Sequence, residues 1–355
     1  MKNTGTTSRN WVFWSILFLL FGALIYVLRS VLLPFVVGIT LGYLLNPWVT
    51  FFEKKGLNRT LATLLVLLII LLILVPFFAL IIGVIDEQLI RFLNALPQYI
   101  TSLTQKIEPL TADIQTRFPS FDAEKVRDYL KSALTSNFKL AGSLLKNLFS
   151  HGFAFLNVLS LLMITPVVTF YMLRDWGSFI AKVDSLLPRK SKTSVRSTAK
   201  EIDRALAGFI RGQVSVCLIL GLYYSLGLYL IGLDLGIVIG FLAGLISFIP
   251  YIGSISGFII SILLALAQFD TLSPTILVVL VFASGQFIEG NILTPKLVGD
   301  SIGLHPVWIM FALLAGGVLL GILGMLIAVP TAAALAVLLR HWINNYKKSS
   351  LYLDA

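Results

Sequence analysis

Residues 235–269, LGIVIGFLAGLISFIPYIGSISGFIISILLALAQF, contain no charged side chain in 35 positions. Three more charge-free runs follow the same pattern, with 23 residues at 30–52, 27 at 147–173 and 39 at 301–339. A helix that crosses a bilayer needs about 20 apolar residues. Of the 355 residues, 57% are apolar and 12% are charged. The sequence therefore predicts an all-α polytopic membrane protein. This composition excludes an ordinary soluble enzyme, a disulfide scaffold and a disordered chain.

Six apolar segments are predicted to cross the membrane singly, and the second returns antiparallel to the first. They are residues 11–28, 31–45, 61–85, 153–173, 214–231 and 271–288. Two further pairs consist of segments that are each short for a span, and these pairs are 235–248 with 255–269 and 306–320 with 322–339. Each pair is either two spans or one re-entrant hairpin. We predict about eight spans, with ten as the alternative.

A polar insert at residues 86–152 separates the third and fourth spans and carries eight basic and seven acidic residues. Between Leu93 and Leu110 the apolar residues recur at steps of three and four. This spacing predicts an amphipathic helix with a break or kink at Pro97. A second stripe runs from Val126 to Leu148. We interpret the insert as a helical subdomain that covers the membrane surface, or alternatively as a contact between subunits of a homo-oligomer.

A second polar segment, residues 174–213, carries nine basic and four acidic residues. Within it, apolar residues are spaced at helical steps from Val195 to Phe209, with Ile202 and Leu206 between them. An apolar stripe backed by Lys and Arg is typical of a helix in the membrane interface. We therefore predict an interfacial helix over 193–210 that buries Ile202, Leu206 and Phe209 and exposes Lys200.

The basic residues also predict membrane orientation. With the N-terminus inside, 18 of them lie on the inner side, one lies in a short outer loop and eight lie in the insert. Positive charge marks cytoplasmic loops, so we expect both termini in the cytoplasm and the insert outside, in a bacterial inner membrane. The predicted organisation is 1–85 for the first three spans, 86–152 for the insert, 153–173 for the fourth span, 174–213 for the basic segment, 214–340 for the transport core and 341–355 for the tail.

The sequence offers no pattern for a metal, a cofactor or a catalytic residue. Cys217 is the single cysteine and lies in an apolar run, so it is predicted to be a buried small hydrophobe. The three histidines lack metal-ligand spacing, and no nucleotide-binding loop is present. Because the net charge of +10 follows membrane sidedness, it does not indicate nucleic-acid binding. We expect a protein without enzyme activity or cofactor.

Polar groups are rare in residues 212–339, which hold five formal charges. Glu289 differs from the others because Gln286, three residues earlier, shares its helix face. An ionisable group at membrane depth is costly and faces a partner or a cavity. Glu289 is therefore either paired with Lys296 at the inner interface or used for substrate binding or proton coupling. The glycines at G-x-x-x-G spacing, such as Gly236 and Gly240, are predicted to allow close helix packing.

Several motifs of the C-terminal half resemble one bacterial family in order and spacing. These motifs are Phe209-Ile210-Arg211-Gly212-Gln213, Ile249-Pro250-Tyr251-Ile252-Gly253, Gln286-x-x-Glu289-x-Asn291-x-x-x-Pro295-x-x-x-Gly299, Leu304-His305-Pro306, Gly316-Gly317-x-x-x-Gly321-x-x-Gly324 and Ala328-Val329-Pro330. They resemble the autoinducer-2 exporter superfamily of permease-like proteins. The resemblance implies export of a small, uncharged, hydroxyl-rich signal, or sodium–proton exchange as described for other members.

The leading hypothesis is a secondary transporter for a small polar solute or for cations, embedded in the lipid bilayer. An uncoupled channel or facilitator is the alternative, and an oligomeric membrane scaffold without transport is a third. We expect Tyr251 at a non-helical corner that faces a polar cavity. The candidate path residues are Arg211, Gln213, Pro250, Tyr251, Gly253, Gln286, Glu289, Asn291 and Lys296.

Overall fold

The computed structural model describes residues 4–117, 152–189, 191–299, 303–348 and 352. These residues contain helices and no strand, which confirms the all-α polytopic fold. Five of the helices contain a stretch long and apolar enough to cross a membrane. The elements are α1 (Thr4–Lys54), α2 (Arg59–Arg117), α3 (Gly152–Ser185), α4 (Lys192–Ile231), α5 (Gly236–Ile246), α6 (Ile252–Gln268), α7 (Leu272–Ile288), a π-helical segment (Glu289–Val298), α8 (Pro306–Leu320) and α9 (Ile322–Lys347).

Helix α1 corrects the prediction of two antiparallel spans at 11–28 and 31–45. It is one helix of 51 residues, about 77 Å long, and it does not reverse between the two segments. The linker, Arg29 and Ser30, contains no glycine or proline, so nothing in the sequence stops the helix there. Because the cytoplasmic placement of the N-terminus depended on that reversal, the structure removes its basis.

Helix α2 joins two elements that the sequence separates. The predicted third span and the first half of the insert form one helix of 59 residues, so the helix does not end at Pro97. A proline removes one backbone donor, and the helical sequence on both sides of Pro97 carries the helix across it. The second predicted stripe of the insert, from Val126 to Leu148, lies outside the described residues.

Helices α3 and α4 are joined by a short turn that is held by ion pairs. Arg196 donates two hydrogen bonds to the Asp184 carboxylate, from Nε to Oδ1 at 2.5 Å and from Nη2 to Oδ2 at 2.6 Å. Lys192 Nζ lies 3.2 Å from Asp184 Oδ2. Helix α4 then runs for 40 residues without a break between the predicted interfacial helix and the following span. Phe209 is 2% exposed and Lys200 is exposed, as predicted, whereas Ile202 and Leu206 are half-buried.

Two helical hairpins form in the C-terminal half. Helix α5 has 11 residues, about 16 Å of helix, which is too short to cross a hydrocarbon core of about 30 Å. The structure therefore favours a re-entrant hairpin for 235–269. Helix α8 has 15 residues and meets the 26-residue α9 at Gly321, which caps both helices at φ 66°.

The chain divides into two compact units. The first takes its described residues from 1–66, 160–210 and 301–355. In it, α1 and α3 meet at Gly38, where Thr169 Oγ1 donates to the Gly38 carbonyl at 3.2 Å. The second unit takes its described residues from 67–159 and 211–300. It contains all nine candidate path residues.

Candidate functional site

The pair Gln286 and Glu289 lies where α7 passes into the π-helical segment. Gln286 Nε2 donates to Glu289 Oε2 at 3.1 Å, so the two side chains share a face, as predicted. Glu289 is half-buried. In the part of the chain that the structure describes, no basic nitrogen lies within 4.0 Å of its carboxylate. The alternative pairing with Lys296 is therefore absent here.

The π-helical segment contains both Glu289 and Lys296, seven residues apart. It runs for ten residues and contains Pro295, which cannot donate a backbone hydrogen bond. Lys296 is exposed, and Asn291 donates to the carbonyl of Phe287, in the last turn of α7, at 3.0 Å. Segments of π-helix occur frequently at functional sites. A wide, proline-containing turn directly after Glu289 marks this end of α7 as the candidate site.

The π-helical segment is packed against α4 through a glycine. A Cβ at Gly212 would lie 2.3 Å from the Leu297 carbonyl oxygen and 2.9 Å from Val298 Cα. Only glycine permits so close an approach of two backbones. The Arg211-Gly212-Gln213 motif therefore begins with a half-buried Arg211 and uses Gly212 to seat the π-helical segment.

The corner between α5 and α6 is held by Gln213. Its Nε2 donates to the Ser247 carbonyl at 2.8 Å, and Gln213 itself is 6% exposed. A Cβ at Gly253 would lie 2.2 Å from the Ser247 nitrogen, so Gly253 is needed for the tight turn. Gln213 and Gly253, predicted as path residues, thus serve to build the hairpin corner.

Tyr251 occupies this corner next to Pro250. Its φ is 69°, a left-handed conformation that is rare for a bulky residue, and it lies between the two helices of the hairpin. The predicted non-helical corner is confirmed. Tyr251 is 48% exposed and does not line the cavity described next, so the structure does not place it on a polar cavity as expected.

A cavity of about 190 Å³ lies between α6 and α7. Two of its lining residues are polar, Ser254 and Gln286, and Gln286 is the residue that contacts Glu289. Gln286 thus lines the cavity and also donates a hydrogen bond to the Glu289 carboxylate. Its remaining lining residues are Ile255, Phe258, Val279, Phe282 and Ala283.

Helix α4 places two tyrosines against α7 that the sequence reasoning missed. The Tyr223 hydroxyl lies 2.6 Å from Ser284 Oγ. Tyr224 is fully buried, its ring stacks on Phe282 at 4.6 Å, and within the described residues its hydroxyl has no hydrogen-bond partner. A Cβ at Gly285 would lie 2.3 Å from Tyr224 Cε1. Gly285, one residue before Gln286, is the feature of the sequence that could have indicated this close contact between α4 and α7.

The glycines of α5 pack on the same helix. A Cβ at Gly240 would lie 2.3 Å from the Ser225 nitrogen, and one at Gly244 would lie 2.1 Å from Gly221 Cα. This confirms that the G-x-x-x-G spacing serves close packing. Cys217, on α4, is 4% exposed and has the predicted character of a small buried residue.

Comparison with known proteins gives a consistent result over nearly the whole chain. A family model described as "AI-2E family transporter" matches residues 15–344. "Putative transport protein YrrI" of Bacillus subtilis is 31% identical over 324 residues, which cover 89% of this chain and 88% of the relative. "Putative permease PerM" of Escherichia coli is 27% identical, over 90% of this chain and 89% of the relative.

Proposed function

Because this chain belongs to the AI-2E transporter family, we propose that it is a secondary transporter whose path passes between α6 and α7 and reaches Glu289. It moves a small polar solute or exchanges cations for protons. Its family consists of multi-pass membrane proteins named as transport proteins and permeases, and our proposal assigns it no catalytic role. The observation that carries the proposal is the hydrogen bond from Gln286, a residue that lines the cavity, to Glu289.

The cavity suits a small cargo. About 190 Å³ is below the range of about 300–1,000 Å³ that is usual for drug-sized ligands. Five apolar residues line it, and Ser254 and Gln286 supply hydrogen-bonding groups that orient a polar molecule. Gln286 donates to Glu289 Oε2 at 3.1 Å, so a carboxylate lies next to one of these polar groups.

Glu289 has the chemistry that coupling requires. A carboxylate in an apolar helical run is costly in its charged form, and here no cation within the described residues compensates for it. Gln286 donates to one of its oxygens and fixes its orientation. Such a carboxylate can release and bind a proton, or exchange it for a cation, while its position is kept.

The test is transport into proteoliposomes with and without a proton gradient, comparing wild type with Glu289→Gln. We expect Glu289→Gln to fold and assemble normally and to lose the pH dependence of transport. Asp270→Asn is the matched control, since Asp270 is 97% exposed and should leave both rate and pH profile unchanged. An unaltered rate and pH profile in Glu289→Gln would remove Glu289 from the mechanism. Transport that does not respond to the gradient in wild type would favour an uncoupled facilitator.

We also propose an inner-membrane orientation with the 174–213 segment and the C-terminal tail in the cytoplasm and the insert outside. The distribution of basic residues supports it. Single cysteines at Lys125 and Lys192, in a Cys217→Ser background, test it with a thiol reagent that does not cross membranes. Labelling of intact cells at position 192 but not at position 125 contradicts the orientation.

A further inference from the structure

At the end opposite its corner, the α5–α6 hairpin is held together by the side chain of Gln268. The loop before α5 and the end of α6 are joined by Gln268, whose Nε2 donates to the Gly232 carbonyl at 2.9 Å. Its Oε1 accepts from the Asp234 nitrogen at 2.9 Å. With Gln213 at the corner, the hairpin is therefore fixed at both of its extremities.

The far part of α2 contacts both of these ends. The Tyr99 hydroxyl donates to the Asp234 carboxylate. Lys106 Nζ donates to the carbonyls of Leu266 at 2.9 Å and Phe269 at 2.6 Å. The last carbonyls of a helix have no partner within the helix, and a lysine near that end satisfies them and complements the helix dipole. Lys106 thus caps the end of α6 from a different helix.

The contact at Tyr99 does not depend on pH in the physiological range. Tyr99 is 6% exposed and packs beside Phe92, with 6.1 Å between ring centroids. Burial, and then the hydrogen bond to Asp234, raise the pKa of Tyr99 above its usual value. The hydroxyl therefore keeps its proton and remains a donor to Asp234.

We propose that residues 92–106 of α2 are a strap that restrains the α5–α6 hairpin, with Tyr99 and Lys106 as its positioning residues. Three residues that line the cavity, Ser254, Ile255 and Phe258, belong to α6. The cavity widens when α6 moves away from α7, and that movement requires Lys106 to release the carbonyls of Leu266, in α6, and of Phe269, directly after it. The strap sets how often the cavity opens. This inference deepens the proposed function, because it concerns access to the same cavity.

The experiment measures cavity access without any cargo. Ser254→Cys in a Cys217→Ser background places a thiol reporter in the cavity wall, where Ser254 is 5% exposed. The protein is held in lipid nanodiscs, so that a small methanethiosulfonate reagent reaches both faces. The rate of modification is measured with Lys106 present and with Lys106→Met. Methionine keeps the unbranched apolar side chain but has neither the charge nor the hydrogen-bond donors of lysine.

We expect Lys106→Met to raise the modification rate about fivefold, the factor that corresponds to about 1 kcal/mol of lost restraint. Tyr99→Phe, which keeps the ring packing, raises it in the same direction. Lys106→Arg restores the slow rate. Asp270→Asn leaves the modification rate slow. Asp270 lies 3.6 Å from Lys106 Nζ but is 97% exposed, and Lys106 holds the hairpin through its hydrogen bonds to the two backbone carbonyls.

Unchanged modification rates in Lys106→Met and Tyr99→Phe would overturn the strap. If Lys106→Met does not fold, Tyr99→Phe alone decides. The readout needs no transported solute, so it stands even if the proteoliposome assay finds no transport. Conversely, transport with a strap that has no effect on cavity access would refute this inference and leave the proposed function intact.

Discussion

The hydroxyl of Tyr224 gives a sharp test of the packing between α4 and α7. Tyr224→Phe removes one oxygen from a fully buried ring, and in the described part of the chain that oxygen has no hydrogen-bond partner. Its neighbour gives the matched control, because the Tyr223 hydroxyl contacts Ser284 Oγ at 2.6 Å. The two substitutions are chemically identical and adjacent, and they differ in whether the hydroxyl is bonded and in burial, since Tyr223 is half-buried.

The expected effects have opposite signs. An unsatisfied buried hydroxyl costs about 1–3 kcal/mol of desolvation, so Tyr224→Phe should leave the free energy of unfolding unchanged or raise it by about 1 kcal/mol. Hydrogen bonds between membrane helices contribute about 0.6 kcal/mol on average and about 1.7 kcal/mol at most. Tyr223→Phe should therefore lower the free energy of unfolding by about 0.5–1.5 kcal/mol. The stacking of Tyr224 on Phe282 is retained by phenylalanine.

Reversible unfolding of the purified protein in mixed micelles, followed by circular dichroism, measures both values. A loss in Tyr224→Phe as large as in Tyr223→Phe would show that the Tyr224 hydroxyl is bonded after all. Equal losses at the two positions would thus refute the assignment of an unbonded, costly hydroxyl to Tyr224.

Three further predictions follow from packing and charge. Gly240→Ala should destabilise the protein by about 1–3 kcal/mol, because its Cβ would lie 2.3 Å from the Ser225 backbone nitrogen. The control is Gly177→Ala, whose Cβ would have no atom within 4 Å. It should be neutral or stabilising in the same unfolding assay. Hydrogen bonding by Arg196, and then by Lys192, lowers the pKa of Asp184, so its contribution to stability is present above about pH 4 and is lost as pH falls through the lowered pKa. Asp184→Asn should flatten that acid limb of a pH–melting-temperature curve, and an identical limb in the variant would contradict this assignment. Gly285→Ala should destabilise through contact with the Tyr224 ring, 2.3 Å from the new Cβ, and a melting temperature equal to wild type would show that the α4–α7 contact is looser than described.

The sequence predicts what depends on local pattern. Apolar runs define the helices, glycine spacing identifies the packing face of α5, and a separation of three residues pairs Gln286 with Glu289. Pro250 and Gly253 mark a non-helical corner because proline and glycine act on the backbone where they stand.

Local patterns do not predict how far a helix continues, or which distant residues form hydrogen bonds with each other in the folded chain. The charge of Arg29 between two apolar segments suggests a loop. A helix continues, however, unless a residue such as glycine or proline ends it, so α1 is not divided there. The donors to Ser247 and Asp234 come from residues that are distant in sequence, Gln213 and Tyr99. The unbonded hydroxyl of Tyr224 becomes visible only when the neighbours of its ring are known.

The shortness of α5 has a consequence for how the protein is made. At about 16 Å this helix cannot be inserted into a bilayer as a stable span by itself, so α5 and α6 must enter together. The corner they form leaves the Ser247 carbonyl in need of a donor, and the donor, Gln213, belongs to α4. The ribosome delivers α4 before α5, so the part of α4 with Gly221 and Ser225, on which Gly244 and Gly240 pack, is already synthesised when the hairpin emerges. The order of synthesis thus matches the order in which these contacts have to be assembled.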